Sequence, residues 1–405
     1  MLIHKVVKPD FVERFSCVGP ECLISCCQGW NIAIDKKTHH AYLNTDNPDI
    51  AQLAKVSLLR TRKGKSHYSV VKLNQQGFCP FIDEDKFCMV HRELGEKALS
   101  PTCSTYPRLK RRYDDETRHS MTLSCPEVAR LVLFEADSMK LHEEESLLAK
   151  AKVNLIGQRQ PLNQIQQVVH LFSWHLVQAP SLHIEENLQA LAQFILYLQR
   201  IDFDLHSRLD EVAHWHGQLM ADLQAGVSLA AELPAQDVVP MKLKALAVLG
   251  TLVAKDSARE DHLRKGHQQI ADYLAAAEHS DIGQLSDKFA NLNNQWLALC
   301  QDSCLSAPHV LRNFLTYKIY TSHFPGTDLS TVMRQFYRLV LEYFYLKHIL
   351  SAYALQGEMT EALVLKTLAS LSEKTMHSTT LDNRMNRAID MINAGDDLSC
   401  LLLLG

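Results

Sequence analysis

Eleven cysteines are the residues of this 405-residue chain best suited to chemistry, and eight of them, Cys17, Cys22, Cys26, Cys27, Cys79, Cys88, Cys103 and Cys125, precede residue 126. Thiolates are soft ligands that favour zinc or iron–sulfur clusters, and either centre takes about four of them. All eight are therefore candidate metal ligands. The surplus over one site is open to three readings: a second site, buried apolar packing, or redox chemistry. A disulfide framework belongs to oxidising compartments. The opening Met1-Leu2-Ile3-His4-Lys5-Val6-Val7-Lys8-Pro9 lacks the apolar run and cleavage site of a secretory signal. The expected location is the cytoplasm, where thiols stay reduced and metal ligation is the better reading.

The spacing is Cys17-x4-Cys22-x3-Cys26-Cys27, then Cys79-x8-Cys88-x14-Cys103-x21-Cys125. This is neither a paired zinc ribbon nor a ferredoxin run, so spacing does not name the metal. Adjacent side chains diverge in most backbone conformations, which argues against Cys26 and Cys27 sharing one ion. Phe78 to Ile82 and Phe87 to Val90, joined by Asp83-Glu84-Asp85-Lys86, read as a hairpin that would bring Cys79 beside Cys88.

The elements that must position these thiols are short. Asn31 to Asp35 and Tyr68 to Leu73 read as strands, Arg108 to Tyr113 and Thr117 to Ser124 as a hairpin around Asp114-Asp115-Glu116, and Lys37 to Leu43 and His91 to Leu99 as brief helices. From about Pro126 the pattern changes to amphipathic stretches: Leu162 to Val177, Glu185 to Arg200, Leu205 to Leu223, Met241 to Ala254 and Ser330 to Leu355. Pro180, Pro234, Pro240, Pro308 and Pro325 are expected between helices. The fold class is mainly α: a cysteine-rich α+β metal-binding module over residues 1–130, then an all-helical region over residues 131–405.

Balanced charge, a formal −4 with 22% charged residues, speaks against a nucleic-acid partner. No run approaches the roughly 20 apolar residues that cross a bilayer, so no membrane association is expected.

Phe15-Ser16-Cys17-Val18-Gly19-Pro20-Glu21-Cys22 continuing to Cys26-Cys27-Gln28-Gly29-Trp30-Asn31-Ile32 resembles the N-terminal signature of the flagellin lysine-N-methylases. Cys79-Pro80-Phe81, Cys88, Ser100-Pro101-Thr102-Cys103 to Tyr106-Pro107, and Ser124-Cys125-Pro126 are similar to that family's remaining cysteine blocks. A looser likeness extends to small bacterial zinc- or iron-chelating proteins. The family resemblance implies methyl transfer from S-adenosylmethionine to surface lysine ε-amines of flagellin, with a [4Fe-4S] cluster held by the cysteine block. Zinc is the alternative metal. The chain departs from two common designs. It has no Gly-x-Gly for a Rossmann-type S-adenosylmethionine loop and no CxxxCxxC triad of the radical enzymes.

Methylating a lysine by displacement needs a neutral amine, whereas the free side chain has a pKa near about 10.4. Asp35, Glu93, Tyr106 and Tyr113 flank the cysteine blocks and are candidates to assist, each with a plain structural reading beside it. Trp30 is a candidate wall for an adenine or an amine. The basic stretches Arg60 to Lys65 and Arg108 to Arg112 suit an acidic partner surface or solvated loops. His39-His40 and His214-Trp215-His216 read as surface or cap residues, Cys300 and Cys304 as one helix face packed in the core, and Cys400 as partnerless in sequence. A non-catalytic metal-binding interaction protein and a redox sensor are the competing functions.

Overall fold

The computed structural model describes residues 2–113, 116–148, 160–229, 235–253, 262–275, 281–357, 359–376 and 379–404. It is mainly α, with an α+β part at the N-terminal end. The N-terminal part runs β1 (Leu2–Pro9), α1 (Asp10–Arg14), β2 (Ala33–Ile34), α2 (Lys36–Leu43), α3 (Pro48–Ser57), β3 (Leu58–Arg60), β4 (Ser69–Val71), α4 (Met89–Leu94), α5 (Pro101–Thr105), β5 (Arg108–Arg112), β6 (Glu116–Met121) and α6 (Pro126–Phe134). After β7 (Leu141–Leu148) come α7 (Gln164–Gln178), α8 (Ile184–Arg200), α9 (Leu205–Ala225), α10 (Ala235–Val253), α11 (His262–Ala275), α12 (Ile282–Gln301), α13 (His309–Ser322), α14 (Val332–Leu355), α15 (Glu361–Met376) and α16 (Thr379–Asn393).

Local chemistry explains many of these boundaries. Asn47 caps α3 ahead of Pro48, Asp35 caps α2 by accepting from the amides of Lys37 and Thr38, and Asn163 with Gln166 closes a capping box on α7. The helix over Ser330 to Leu355 that periodicity predicts is α14, which is buried on nearly every side from Val332 to Tyr353 and is the central helix of the core. Gly266 of α11 lets that helix approach closely, since a Cβ there would stand 2.6 Å from Ile349 and 2.9 Å from Tyr353 of α14.

Two hydrophobic clusters divide the interior. The smaller is built from Ile32, Ile34, Tyr42, Ile50, Phe81 and Val90, with Cys27, Cys79, Cys88 and Cys103 in or against it. The larger runs from Phe11, Met121 and Cys125 through the helices to Leu404. The four-stranded sheet β5-β6-β1-β7 ties the chain's beginning to this second core. Tyr317 of α13 donates to the Met121 carbonyl at 2.8 Å, and Tyr320 to that of His119 at 2.9 Å.

Several sequence expectations need correction. The hairpin over Phe78 to Val90 is a tight turn with a single Ile82 to Cys88 bridge, because Met89 leaves the extended path to start α4. The hairpin of β5 and β6 forms, though its turn residues Asp114 and Asp115 lie outside the described residues, as does Pro234. Pro240 sits inside α10 rather than before it, forgoing one backbone bond near the helix start while Val239 and Leu246 stay buried. Strands β1 and β7 were not expected. The β7 stretch His142-Glu143-Glu144-Glu145 has no apolar alternation because it is a sheet edge, where Glu143 and Glu144 pair with Lys5 (2.7 Å) and Lys8 (2.6 Å) of β1.

Candidate metal centre

The thiols of Cys26, Cys27, Cys79, Cys88 and Cys103 are gathered into one electrostatically coupled group. Three short pieces of chain bring them together. The Cys79 amide donates to the Cys27 carbonyl at 2.7 Å, and Met89 donates to Phe81 at 2.8 Å, folding the Cys88 segment back over Cys79. Ser100 then caps α5, accepting from the Cys103 amide at 3.2 Å. Cys26 and Cys27 do not diverge. They lie in a turn steadied by the Cys27 amide donating to Ser25 Oγ at 3.2 Å, and their free thiols are close enough that Cys26 raises the pKa of Cys27.

The electrostatics follow from this crowding. The Cys26 thiol beside it, then burial, pushes the Cys27 thiol far up. Burial pushes Cys79 up to about 12 and Cys103 up to about 11, and raises Cys88, with neighbouring cysteines adding to each. Opposing that, the amides of Val90 and His91 at the start of α4 face the Cys88 sulfur, and those of Glu127 and Val128 at the start of α6 face Cys125. Helix N-termini favour a thiolate. A metal cation would replace mutual thiolate repulsion with attraction and draw the protons off, so this donor set fits a thiolate-bound metal.

The remaining cysteines stand differently. Cys125, pushed up to about 12 by burial, is coupled to Cys22 and Cys26. Cys22 donates to the Ile24 carbonyl at 3.2 Å, and Cys17 is exposed after α1. Cys300 ends α12 while Cys304 lies beyond it, so the two do not share a helix face, although both pack on the large core. Cys400 is fully buried in that core.

The flanking candidates take mostly structural places. Asp35 is a helix cap and Glu93 is exposed. Tyr113 stacks on His323 at 4.5 Å. Tyr106 meets Ser124 Oγ at 3.1 Å and its ring lies 5.9 Å from that of Trp30. Trp30 donates its indole N–H to the Cys26 carbonyl at 2.5 Å and lines a cavity of about 400 Å³ with Asn31, Lys63, His67 and Thr102. His39 and His216 are buried rather than at the surface, His39 against Ser69 Oγ at 2.9 Å and His216 stacked on Phe172 at 4.2 Å.

Among the described residues, the only trio of potential metal-ligating side chains drawn within 4.8 Å of one another is Asp10, Glu13 and His142. Cations already occupy it, since Arg14 binds Asp10 and Lys8 binds Glu13 at 3.0 Å.

A family model described as the FliB lysine N-methylase C-terminal domain matches residues 170–404. The chain belongs to the lysine N-methylase family. A lysine-N-methylase of Salmonella typhimurium is 31% identical over 407 residues, covering 98% of this chain and 98% of its own length. One from Salmonella choleraesuis matches over the same share at 31%. A flagellar biosynthetic protein, FliU, of Salmonella muenchen is 42% identical over 142 residues, 35% of this chain and 84% of its own. No solved structure matches. Within this methylase-family chain, no helix of the described residues is long and apolar enough to cross a membrane.

The family model's span contains titratable residues that sequence reasoning missed. His170 is pulled down to about 4 by burial and the nearby Arg118, and its Nδ1 donates to the Phe324 carbonyl at 2.6 Å. The folded chain therefore resists a proton that the unfolded chain takes up near pH 6.5. Folding stability is expected to fall as pH drops from 6.5 towards 4, with this histidine costing about 2 kcal/mol between pH 7 and pH 5. Urea melts at those two pH values should show a shallower dependence in His170→Gln; an unchanged slope would contradict the assignment.

Proposed function

We propose that this chain is an S-adenosylmethionine-dependent lysine N-methyltransferase acting on flagellin in the cytoplasm, with an iron–sulfur cluster held by its N-terminal cysteines. The observation that carries this reading is the likeness to lysine-N-methylases along 98% of both chains. The flagellar name of the FliU relative supports a flagellar substrate. We also keep the division into a cysteine-rich module over residues 1–130 and a helical region over residues 131–405 as part of this proposal.

Cys26, Cys27, Cys79, Cys88 and Cys103 are the proposed core of the cluster's ligand set, with Cys17, Cys22 and Cys125 as further candidates. Around a single zinc with bonds of about 2.3 Å, tetrahedral sulfurs would stand roughly 3.8 Å apart. Five gathered thiols exceed the four that one zinc takes, which leaves room for a larger centre. A cluster there would supply a thiolate-bound, redox-active iron centre. S-adenosylmethionine would supply the sulfonium methyl.

Next to this centre, Trp30 offers an aromatic face to a sulfonium or a lysine amine. In its cavity Lys63 offers a counter-charge to a carboxylate, and Asn31 and Thr102 are polar neighbours. An apolar wall of this kind also lowers the cost of a neutral amine by desolvating its charged form.

The deciding experiment is methyl transfer from labelled S-adenosylmethionine to purified flagellin by anaerobically prepared protein. Label on lysine is the expected result. Cluster-loaded protein that binds flagellin without turnover would overturn the reading in favour of a metal-dependent interaction protein.

A further inference from the structure

One side of the Trp30 cavity is formed by the loop between β3 and β4, which contributes Thr61, Lys63 and His67 to its lining. The same loop carries Arg62 and Lys65, Arg60 ends β3 just before it, and Lys36 and Lys37 open α2. The Lys36 amide donates to the Lys65 carbonyl at 2.8 Å and the Thr61 amide to the Tyr68 carbonyl at 2.9 Å, so the loop is held beside the start of α2. Gly64 makes its turn at φ +88°, a conformation that other residues adopt only with strain.

Lys36, Lys37, Arg60, Arg62, Lys63 and Lys65 are all exposed. Among the described residues none of the six is ion-paired to a carboxylate, whereas Lys8, Arg92 and Arg208 elsewhere on the surface each are. Arg60 stands 4.6 Å from the centre of the Tyr68 ring and Lys36 stands 5.7 Å from the same ring, so two like charges share one aromatic neighbour. Asp35, the carboxylate next to them in sequence, accepts from the amides of Lys37 and Thr38 as the cap of α2. His39, whose ring lies 5.0 Å from that of Tyr68, is pulled down by burial and then by His40 and Arg60, as a positive surround requires. Cations gathered without counter-charges repel one another and raise the local potential, which an anionic partner relieves.

We propose that this rim is the docking surface for an acidic segment of the protein substrate, whose carboxylates seat on Arg62, Lys63 and Lys65 and whose neighbouring lysine is presented to Trp30. The presented lysine rests on the methylase reading above, whereas the docking of an acidic segment rests on the charges alone. A protein segment is favoured over a nucleic acid because the chain as a whole is acidic, at a formal −4, and would repel a long polyanion, while a short acidic segment meets only the basic rim.

The test measures binding of the full chain to immobilised flagellin without S-adenosylmethionine. Arg62→Glu and Lys37→Glu change exposed side chains on different elements, so the fold is spared. Each should raise the dissociation constant roughly fivefold and flatten its rise between about 50 and about 200 mM salt. Lys110→Glu makes the same charge change at an exposed position of β5 and should bind as the wild type does. Where methylation proceeds, the wild type should modify lysines with Asp or Glu neighbours first and Arg62→Glu should lose that order; a wild type without it overturns the presentation of the lysine. A wild type that does not bind flagellin, or Arg62→Glu and Lys37→Glu binding as tightly as the wild type, overturns the docking surface. Tighter capture of a single-stranded oligonucleotide, lost in the same two variants, overturns it in favour of a nucleic acid. Flagellin bound through the rim and left unmethylated would sink the proposed activity and leave the docking surface standing.

Discussion

If the proposed cluster is held as above, Cys88→Ser and Cys103→Ser are each expected to lose most of the iron and acid-labile sulfide expected of anaerobically purified wild-type protein, while Cys400→Ser keeps its full content. Serine is a hard, weakly acidic oxygen donor in place of a soft thiolate, so it surrenders the affinity that sulfur supplies. The placement sharpens the expectation. Cys88 precedes α4 and Cys103 lies in α5, and both pack against the hydrophobic cluster that those short helices share with β2 and α2. Losing one ligand therefore removes a tie between segments distant in sequence as well as a donor. Metal binding and folding are linked in such modules, and a lowered melting temperature should accompany the lost iron. Cys400 lies fully buried in the other core, so its replacement tests packing alone. Iron, sulfide and zinc analysis with an absorption spectrum checks all three. Full metal content in both Cys88→Ser and Cys103→Ser would remove these residues from the ligand set.

Glu342→Ala should be among the most destabilising single changes in the helical region, at about 3–5 kcal/mol. The Glu342 side chain is 4% exposed and that of Lys318 is 10% exposed, so deleting the carboxylate leaves a buried ammonium without its counter-charge and takes one of its partners from Arg338. Burial opposes the charge on Glu342, but the attraction of Lys318 and Arg338 prevails and holds its pKa below the usual 4.5. The sign for pH follows. This carboxylate contributes stability above the unfolded-state value and loses it as pH falls through the lower folded value. Replacing the pair by apolar residues, Lys318→Met with Glu342→Leu, is expected to recover part of the loss, because neither charge then has to be desolvated. Chemical denaturation of the single and double variants measures this. A Glu342→Ala melt superimposable on the wild type would show that the ion pair carries no stability.

Much of the local structure was legible from residue types. The helices α7, α8, α9 and α14 follow the apolar periodicity closely, and the β5–β6 hairpin follows its turn residues. The cysteine density before residue 126 marked the module that holds the coupled thiols. Helices α11 and α16 were harder to see, since their average composition is polar and only one stripe of each meets the core. The stripe of Arg334, Arg338 and Glu342 carried a visible signal: charges at four-residue spacing in an otherwise apolar helix. That spacing alone did not say whether the stripe faced water or a cavity.

Sequence by itself determined the class of the fold, the soft-donor chemistry of the N-terminal module and the family to which the chain belongs, because helix periodicity and thiol chemistry are properties of residues and their neighbours. Tertiary structure decided which thiols meet. Five converge because the turn at Cys26 and Cys27, the Cys79 segment, the start of α4 and the Ser100-capped start of α5 close on one small core, while Cys125, buried in the other core, stays within electrostatic reach of Cys26. It also decided that Arg111, a residue of a basic strand, lines the same cavity as Lys318, more than 200 positions away in the chain. Such pairings depend on which strand edge packs on which helix, and that choice is made by the burial of apolar faces across the whole chain, a long-range energy that no local window contains.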